Sequence, residues 1–342
     1  MSTITASGFF LNNLTLINKS ETELQALSNE QVTGNKSTSL AGYGTAAPTI
    51  INLNGTINQT QAYVDNSTQV STILSAYDST LTELQKDATQ LSTAIGSLGA
   101  DDATSANNLQ DVVQGLQVDV TATLNAQVGN RFLYAGTRYT TQPVVDLTQQ
   151  PTPTTPTAFT PVTPNALPAQ PLPPAAGVPA NSPLPSYDTQ GQGTPPGTDP
   201  YNQAYATQNV NVTDSTSVSY GVTSNDPSIQ ALVYALQQAK AAATATQPQQ
   251  AQFLANANSA LITASAGLQS LQQSNDESLN TVTNEQTTQK TAIGNLQSQL
   301  ANLTTADPAT VAAEFTAVQN QLQGSFQVTS TILNLSLLSF IK

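Results

Sequence analysis

The sequence predicts a mainly α protein. It reads as a long antiparallel, coiled-coil-like helical rod formed by both chain ends, with a small irregular, β-containing, Pro-rich insertion. Three observations carry that reading. Several separate segments keep an apolar rhythm of alternating four- and three-residue steps, the mark of a helix with one buried stripe. Helix start and stop signals bracket those segments. Sixteen of the twenty prolines fall between Pro143 and Pro200, a density that excludes helix and central strand.

Taken in chain order, Phe10, Leu14, Ile17 and Leu24 share one face of a first helix expected over about Thr5 to Val32, and Gly34 ends it. Asn52 to Gly55 (NLNG) reads as a turn; no GK[ST] follows, so it is not a phosphate loop. The cleanest period is Val70, Leu74, Tyr77, Leu81, Leu84, Ala88, Leu91, Ile95 and Leu98, four heptads of ordinary core seam. Gly99 stops it. Asp101–Asp102 then cap a further helix through Leu109, Val113, Leu116, Val120 and Thr123 to about Val128, before Gly129. Two adjacent carboxylates diverge, so capping explains this pair better than acid–base chemistry.

From Thr148 to Pro200 the only charges are Asp188 and Asp199, and the chain reads as irregular, PPII-like surface structure. Strand-like runs flank it at Arg131 to Tyr134, Val144–Val145, Val210 to Val212 and Val218 to Val222. The simplest arrangement is a small β-rich module at the far end of the rod. Asp226–Pro227 opens the next helix with an N-cap and a proline in its first turn, with Leu232 and Leu236 on one face. After a weak point at Gln247–Pro248, a seam runs from Leu254 through Leu261, Leu268, Val282 and Ile293 to Leu303. If continuous it spans roughly 75 Å at 1.5 Å per residue. Asp307–Pro308 repeats the start signal before a terminal helix with the seam Val311, Phe315, Val318, Leu322, Ser325, Thr329, Ile332 and Ser336, widened by Phe326, Leu333, Leu337, Leu338 and Ile341. One helix cannot bury so wide a stripe alone. The domain division that follows is 1–38 with 305–342 as terminal helices, 39–140 with 224–304 as a helical shaft, and 141–223 as the outer insertion.

Composition narrows the function. The chain has no Cys, His or Trp, two Arg, six Lys and a net charge of −13. Catalysis by Cys–His or Ser–His sets and zinc, haem or iron–sulfur ligation lack their residues. No catalytic, cofactor-binding or metal-binding residues are assigned, and a non-enzymatic role is expected. Phosphate neutralisation needs clustered Lys and Arg, so nucleic acid is not an expected partner. No stretch reaches the roughly 20 apolar residues of a membrane span, and the N-terminus lacks the basic and apolar regions of a cleaved signal peptide.

Three stretches in order resemble the flagellin superfamily. Leu24 to Lys36 (LQALSNEQVTGNK) is similar to the family's "Q..LSTGKR" turn. Gly129 to Val144 (GNRFLYAGTRYTTQPV) resembles the "GRYLFAGT…PF" turn that leaves the helical core. Gln321 to Ile341 (QLQGSFQVTSTILNLSLLSFI) resembles the terminal "LQASYQATSKLLNLSLLDYL". Ser39 to Asn66 and Asn211 to Leu236 look like the hook-associated branch of that family, and Ala41 to Pro48 has no Asp where common flagellins carry an "ADDP" or "ADNA" segment.

The resemblance implies a subunit of the bacterial flagellum at the hook–filament junction, exported to the cell exterior without a cleaved signal. Its partners would be copies of itself, neighbouring hook-associated proteins and flagellin, and an export chaperone. The implied assembly contacts are Phe10, Leu14 and Ile17 on the first helix, with Phe315, Val318, Leu322, Ile332, Leu333, Leu337 and Leu338 on the last. Arg131 and Arg138, the only arginines, either pair within the chain to Asp111, Asp119 or Asp146 or form an intersubunit salt bridge. Two other readings stay open: a flagellin of the filament itself, and a secreted coiled-coil adhesin or fibre protein.

Overall fold

The computed structural model describes residues 6–98, 103–136, 139–140, 142–144, 146–150, 152–160 and 207–340. These residues are mainly helical. The helices are α1 (Ala6–Thr33), α2 (Ala47–Gly96), α3 (Ala103–Leu124), α4 (Pro227–Thr244), α5 (Gln249–Thr304) and α6 (Pro308–Phe340). Two short antiparallel pairs accompany them: β1 (Gln127–Val128) with β2 (Arg131–Phe132), and β3 (Gln208–Asn211) with β4 (Ser217–Tyr220). The chain forms two compact units, a terminal unit of 1–61 with 290–342 and a central unit of 62–289. The helix turns at 34–39 and 305–307, where the sequence marks a boundary, lie inside the terminal unit.

In the terminal unit α1 lies antiparallel to α6. Leu27, Val311 and Val318 are buried between them with Ala306, and Leu24 and Phe315 pack at the edge. Farther along, the Asn13 amide donates to Thr329 Oγ1 (2.8 Å) and to the Ser325 carbonyl (3.1 Å). Gly34 ends α1 with a φ of 70°, the left-handed turn expected of a helix stop. The chain beyond it pairs with the α5–α6 turn: Lys36 N donates to the Thr304 carbonyl (2.8 Å) and Ala306 N to that of Gly34 (2.9 Å). The Lys36 ammonium reaches the Asn302 and Leu303 carbonyls at the C-terminus of α5, where a helix favours positive charge. Asp307 caps α6 by accepting from Ala309 N and Thr310 Oγ1, and these bonds hold its carboxyl below the usual carboxylate range.

The NLNG segment is not a turn. Asn52 to Gly55 is helical, within the 50 residues of α2. Asn52, Asn54 and Gly55 are exposed there, and such residues cost a helix only up to about 1 kcal/mol each, which Ile50 and the long seam beyond it outweigh.

In the central unit the seam of α2 is core, as its period predicts: Val70, Leu74, Tyr77, Leu81, Leu84, Ala88, Leu91 and Ile95 are all buried. Those from Tyr77 on join Leu109, Val113, Leu116, Val120 and Leu124 of α3 in one cluster with α4 and α5. Residues 99–102, including the Asp101–Asp102 cap, lie outside the described residues. Helix α3 ends at Leu124 rather than near Val128. The Asn125 side chain exchanges two hydrogen bonds with the backbone of Val144 (2.8 and 3.1 Å) and turns the chain out of the helix. Gly129 and Asn130, both at positive φ, then close the two-residue β1–β2 hairpin.

Helix α4 shows the largest departure from a simple amphipathic reading. From Ser228 to Ala242 every residue except Lys240 is buried, not only the face of Leu232 and Leu236. A helix buried all round needs neighbours on every side. One of them is 152–160, the front of the Pro-rich stretch, a largely exposed segment that lays Pro153 and Phe159 against the core. Phe159 packs on the Tyr234 ring at 5.3 Å, and the Thr157 carbonyl accepts from the Tyr234 hydroxyl and from Asn256 Nδ2 (2.8 Å). Lys240 donates to the Thr148 and Gln150 carbonyls (3.1 and 3.4 Å). Residues 161–206 lie outside the described residues.

Gly267 of α5 sets how closely α4 approaches. A methyl there would sit 2.7 Å from Ser228 Cβ and 2.0 Å from its hydroxyl oxygen. Gly267→Ala is therefore expected to destabilise the central unit by about 1–3 kcal/mol. Adding Ser228→Gly should recover much of the loss, which paired thermal melts would measure.

The β3–β4 hairpin does not sit at a far end. Its Val212 and Val218 pack with Val70 and Leu74 of α2 and Val282 of α5, partway along both helices. Tyr63 donates to Asp214 Oδ1 (2.6 Å) and the Gln289 amide to the Val212 carbonyl, fixing the hairpin tip. Helix α5 itself is unbroken for 56 residues, about 84 Å at 1.5 Å per residue.

Candidate assembly surface

The α1–α6 pair divides the ten expected contact residues. Ile17 and Val318 are buried inside the terminal unit, and Phe10, Phe315 and Leu322 are half-buried. Leu14 is open. Ile332, Leu333, Leu337 and Leu338 lie on α6, with their side chains outside the described residues. The seam read as intermolecular is thus partly the chain's own helix–helix core. The large apolar residues left for a partner follow the seam only in part: Leu11 is 59% exposed and Phe326 50%, with Leu14, Leu16 and Val328 also open. Phe326 was legible as a widening of the last helix. Leu11, Leu16 and Val328 were not, because they sit off the four–three seam that core-seeking periodicity selects. Leu11 and Leu14, three apart, share a face of α1.

Charge separates the two units sharply. The terminal unit holds five acidic and four basic residues and the central unit sixteen and four, so almost all of the −13 resides in the latter. Eight of the exposed large hydrophobics, including Val32, Leu40 and Ile51, belong to the terminal unit; Val112, Val118, Tyr139 and Ile262 belong to the central one. A near-neutral terminal unit with open Leu and Phe side chains can approach another copy with little net charge repulsion, and gains roughly 25 cal/mol per Å² of apolar area removed from water before ordering costs.

Arg131 pairs with none of Asp111, Asp119 and Asp146, the within-chain partners expected from sequence. Its Nη2 donates to Gln208 Oε1 (2.9 Å), and its guanidinium lies 4.1 Å from the centre of the Tyr139 ring. Gln208 in turn donates to the Gly136 carbonyl (3.1 Å) and accepts from the Tyr220 hydroxyl (3.0 Å). Arg138 lies outside the described residues.

The FLYAG turn between these groups is a core joint. Tyr134 is fully buried, edge-on to Tyr77 with ring centres 5.5 Å apart. The Tyr134 hydroxyl meets Thr80 Oγ1 at 2.8 Å, and Tyr77 donates to the Leu133 and Val222 carbonyls. Burial pushes both phenols well above the ordinary tyrosine range. Among the described residues no helix is long and apolar enough to cross a membrane.

The fold and surface define a mainly α protein whose first and last helices pair, with small two-stranded sheets attached to the central unit. A solved structure from Vibrio parahaemolyticus with a provisional name as a flagellar hook-associated protein has a similar fold, with a TM-score of 0.54. At 12% identity the match covers 77% of this chain and all of the other, and the likeness is one of fold. No protein-family model matches the sequence, and no curated protein does.

Proposed function

We propose that this chain is a non-enzymatic structural subunit of the bacterial flagellum, joining hook to filament by polymerising through its first and last helices. The observation that carries the reading is the terminal unit, near-neutral in an otherwise strongly acidic chain, with exposed Leu and Phe side chains on α1 and α6. The fold likeness to a structure named for the hook-associated proteins supports it, as do the matched stretches at both ends of the sequence. In this reading the partners are further copies of the chain, adjoining hook-associated proteins and flagellin, with an export chaperone before secretion. Contacts that do not close on themselves, repeated from copy to copy, would build a helical array.

Immunogold electron microscopy on intact cells tests it. Label confined to one spot between hook and filament is the expected result. Label along the whole filament would make the chain a flagellin, and absence of flagellar label would return the adhesin reading.

A further inference from the structure

Asp87 projects from α2 into the packed interior of the central unit. Its residue surface is only 1% exposed, and its Oδ2 has no hydrogen-bond partner. It sits in the seam beside Leu84, Ala88 and Leu91, in the cluster that α3 completes with Leu116 and Val120. The charged groups acting on it are Glu83 and Lys86 of its own helix and Asp119 of α3. Lys86 is turned to Glu83 at 2.8 Å, an exposed pair. The one cation of α4, Lys240, is held by backbone carbonyls. A carboxylate here is thus desolvated, short of donors and faced by two further acids.

We propose that Asp87 is a proton-operated switch in the central unit: the packing that buries it is secure while its carboxyl carries a proton and loosens when the proton leaves. An ionised buried group without a partner pays a desolvation cost that its neutral form avoids. Burial, then Glu83 and Asp119, push this carboxyl up to about 6, with Lys86 opposing. The sign follows from proton binding. The folded chain holds this proton to higher pH than the unfolded chain, so stability falls as pH rises from about 4 through about 6, the reverse of a salt-bridged aspartate. Asp307, whose capping bonds favour the ionised form, runs in that opposite direction, so only a difference against a variant isolates Asp87.

The test is urea unfolding of the full chain and of Asp87→Asn between pH 4 and 8, followed by circular dichroism. The neutral amide should match the wild type near pH 4 and surpass it by pH 7, by up to about a hundredfold in the central unit's folding constant. Parallel profiles for the two proteins overturn the switch. Should the variant not fold, the carboxyl ¹³C shift of Asp87 in the wild-type chain decides: titration well above the ordinary aspartate range supports the proposal, and titration within it sinks it.

Discussion

Deleting 308–342 is expected to abolish self-association and to unravel α1, while leaving the central unit folded. Helix α6 supplies the buried Val311 and Val318 that cover Leu27, and the Ser325 and Thr329 oxygens that satisfy Asn13. Without them, the 28 residues of α1 are left as an isolated helix rich in Asn, Ser and Thr, whose propensity does not hold it in water once its packed face is lost. The circular dichroism signal should therefore drop by more than the 33 deleted helical residues account for. The core of 62–289 is built from its own residues, so its cooperative melt should persist. Sedimentation checks the assembly half. A truncated chain that still polymerises would remove α6 from the proposed assembly, and loss of the central melt would refute the independence of that unit.

Tyr134→Ala should cost the central unit about 3–5 kcal/mol, the range for emptying a large buried aromatic site. The ring is fully buried, packs edge-on against Tyr77, and its hydroxyl meets Thr80 Oγ1. Its backbone carbonyl also accepts from Ser224 N (2.9 Å), so the residue ties α2, the turn after β2 and the approach to α4 into one joint. Tyr77→Phe should cost less, about 1–2 kcal/mol, because it keeps the ring and strands only the Leu133 and Val222 carbonyls. Urea unfolding monitored by near-ultraviolet circular dichroism would rank the two, and an alanine variant as stable as the wild type would refute the joint.

Much of the helical order was legible because its signals are local. The four-heptad seam of α2, the Asp226 and Asp307 caps and the Gly34 stop each need only a few neighbouring residues, and each appears where its spacing places it. Local signals misled where a distant partner outweighed them. Asn52 to Gly55 has turn chemistry but is carried by the helix around it, and α3 stops early because Asn125 finds Val144 nineteen residues on. The candidate surface was legible in outline only. Periodicity selects the face a helix buries, and for Ile17 and Val318 that face meets the chain's own partner helix.

The sequence by itself determined the helix content, the helix boundaries near capping residues, the proline-dense insertion and a composition poor in catalytic side chains. All of these rest on residue type and near-neighbour spacing. Only the tertiary structure decided that α4 is wrapped on every side, that 152–160 is seated against Tyr234, that the β3–β4 hairpin lies beside Val70 and Val282, and that Arg131 takes an amide and a ring in place of a carboxylate. Those outcomes depend on which surfaces meet across tens to hundreds of residues. A stripe of leucines or one arginine can be satisfied by several partners, and the packing of the whole unit chooses among them.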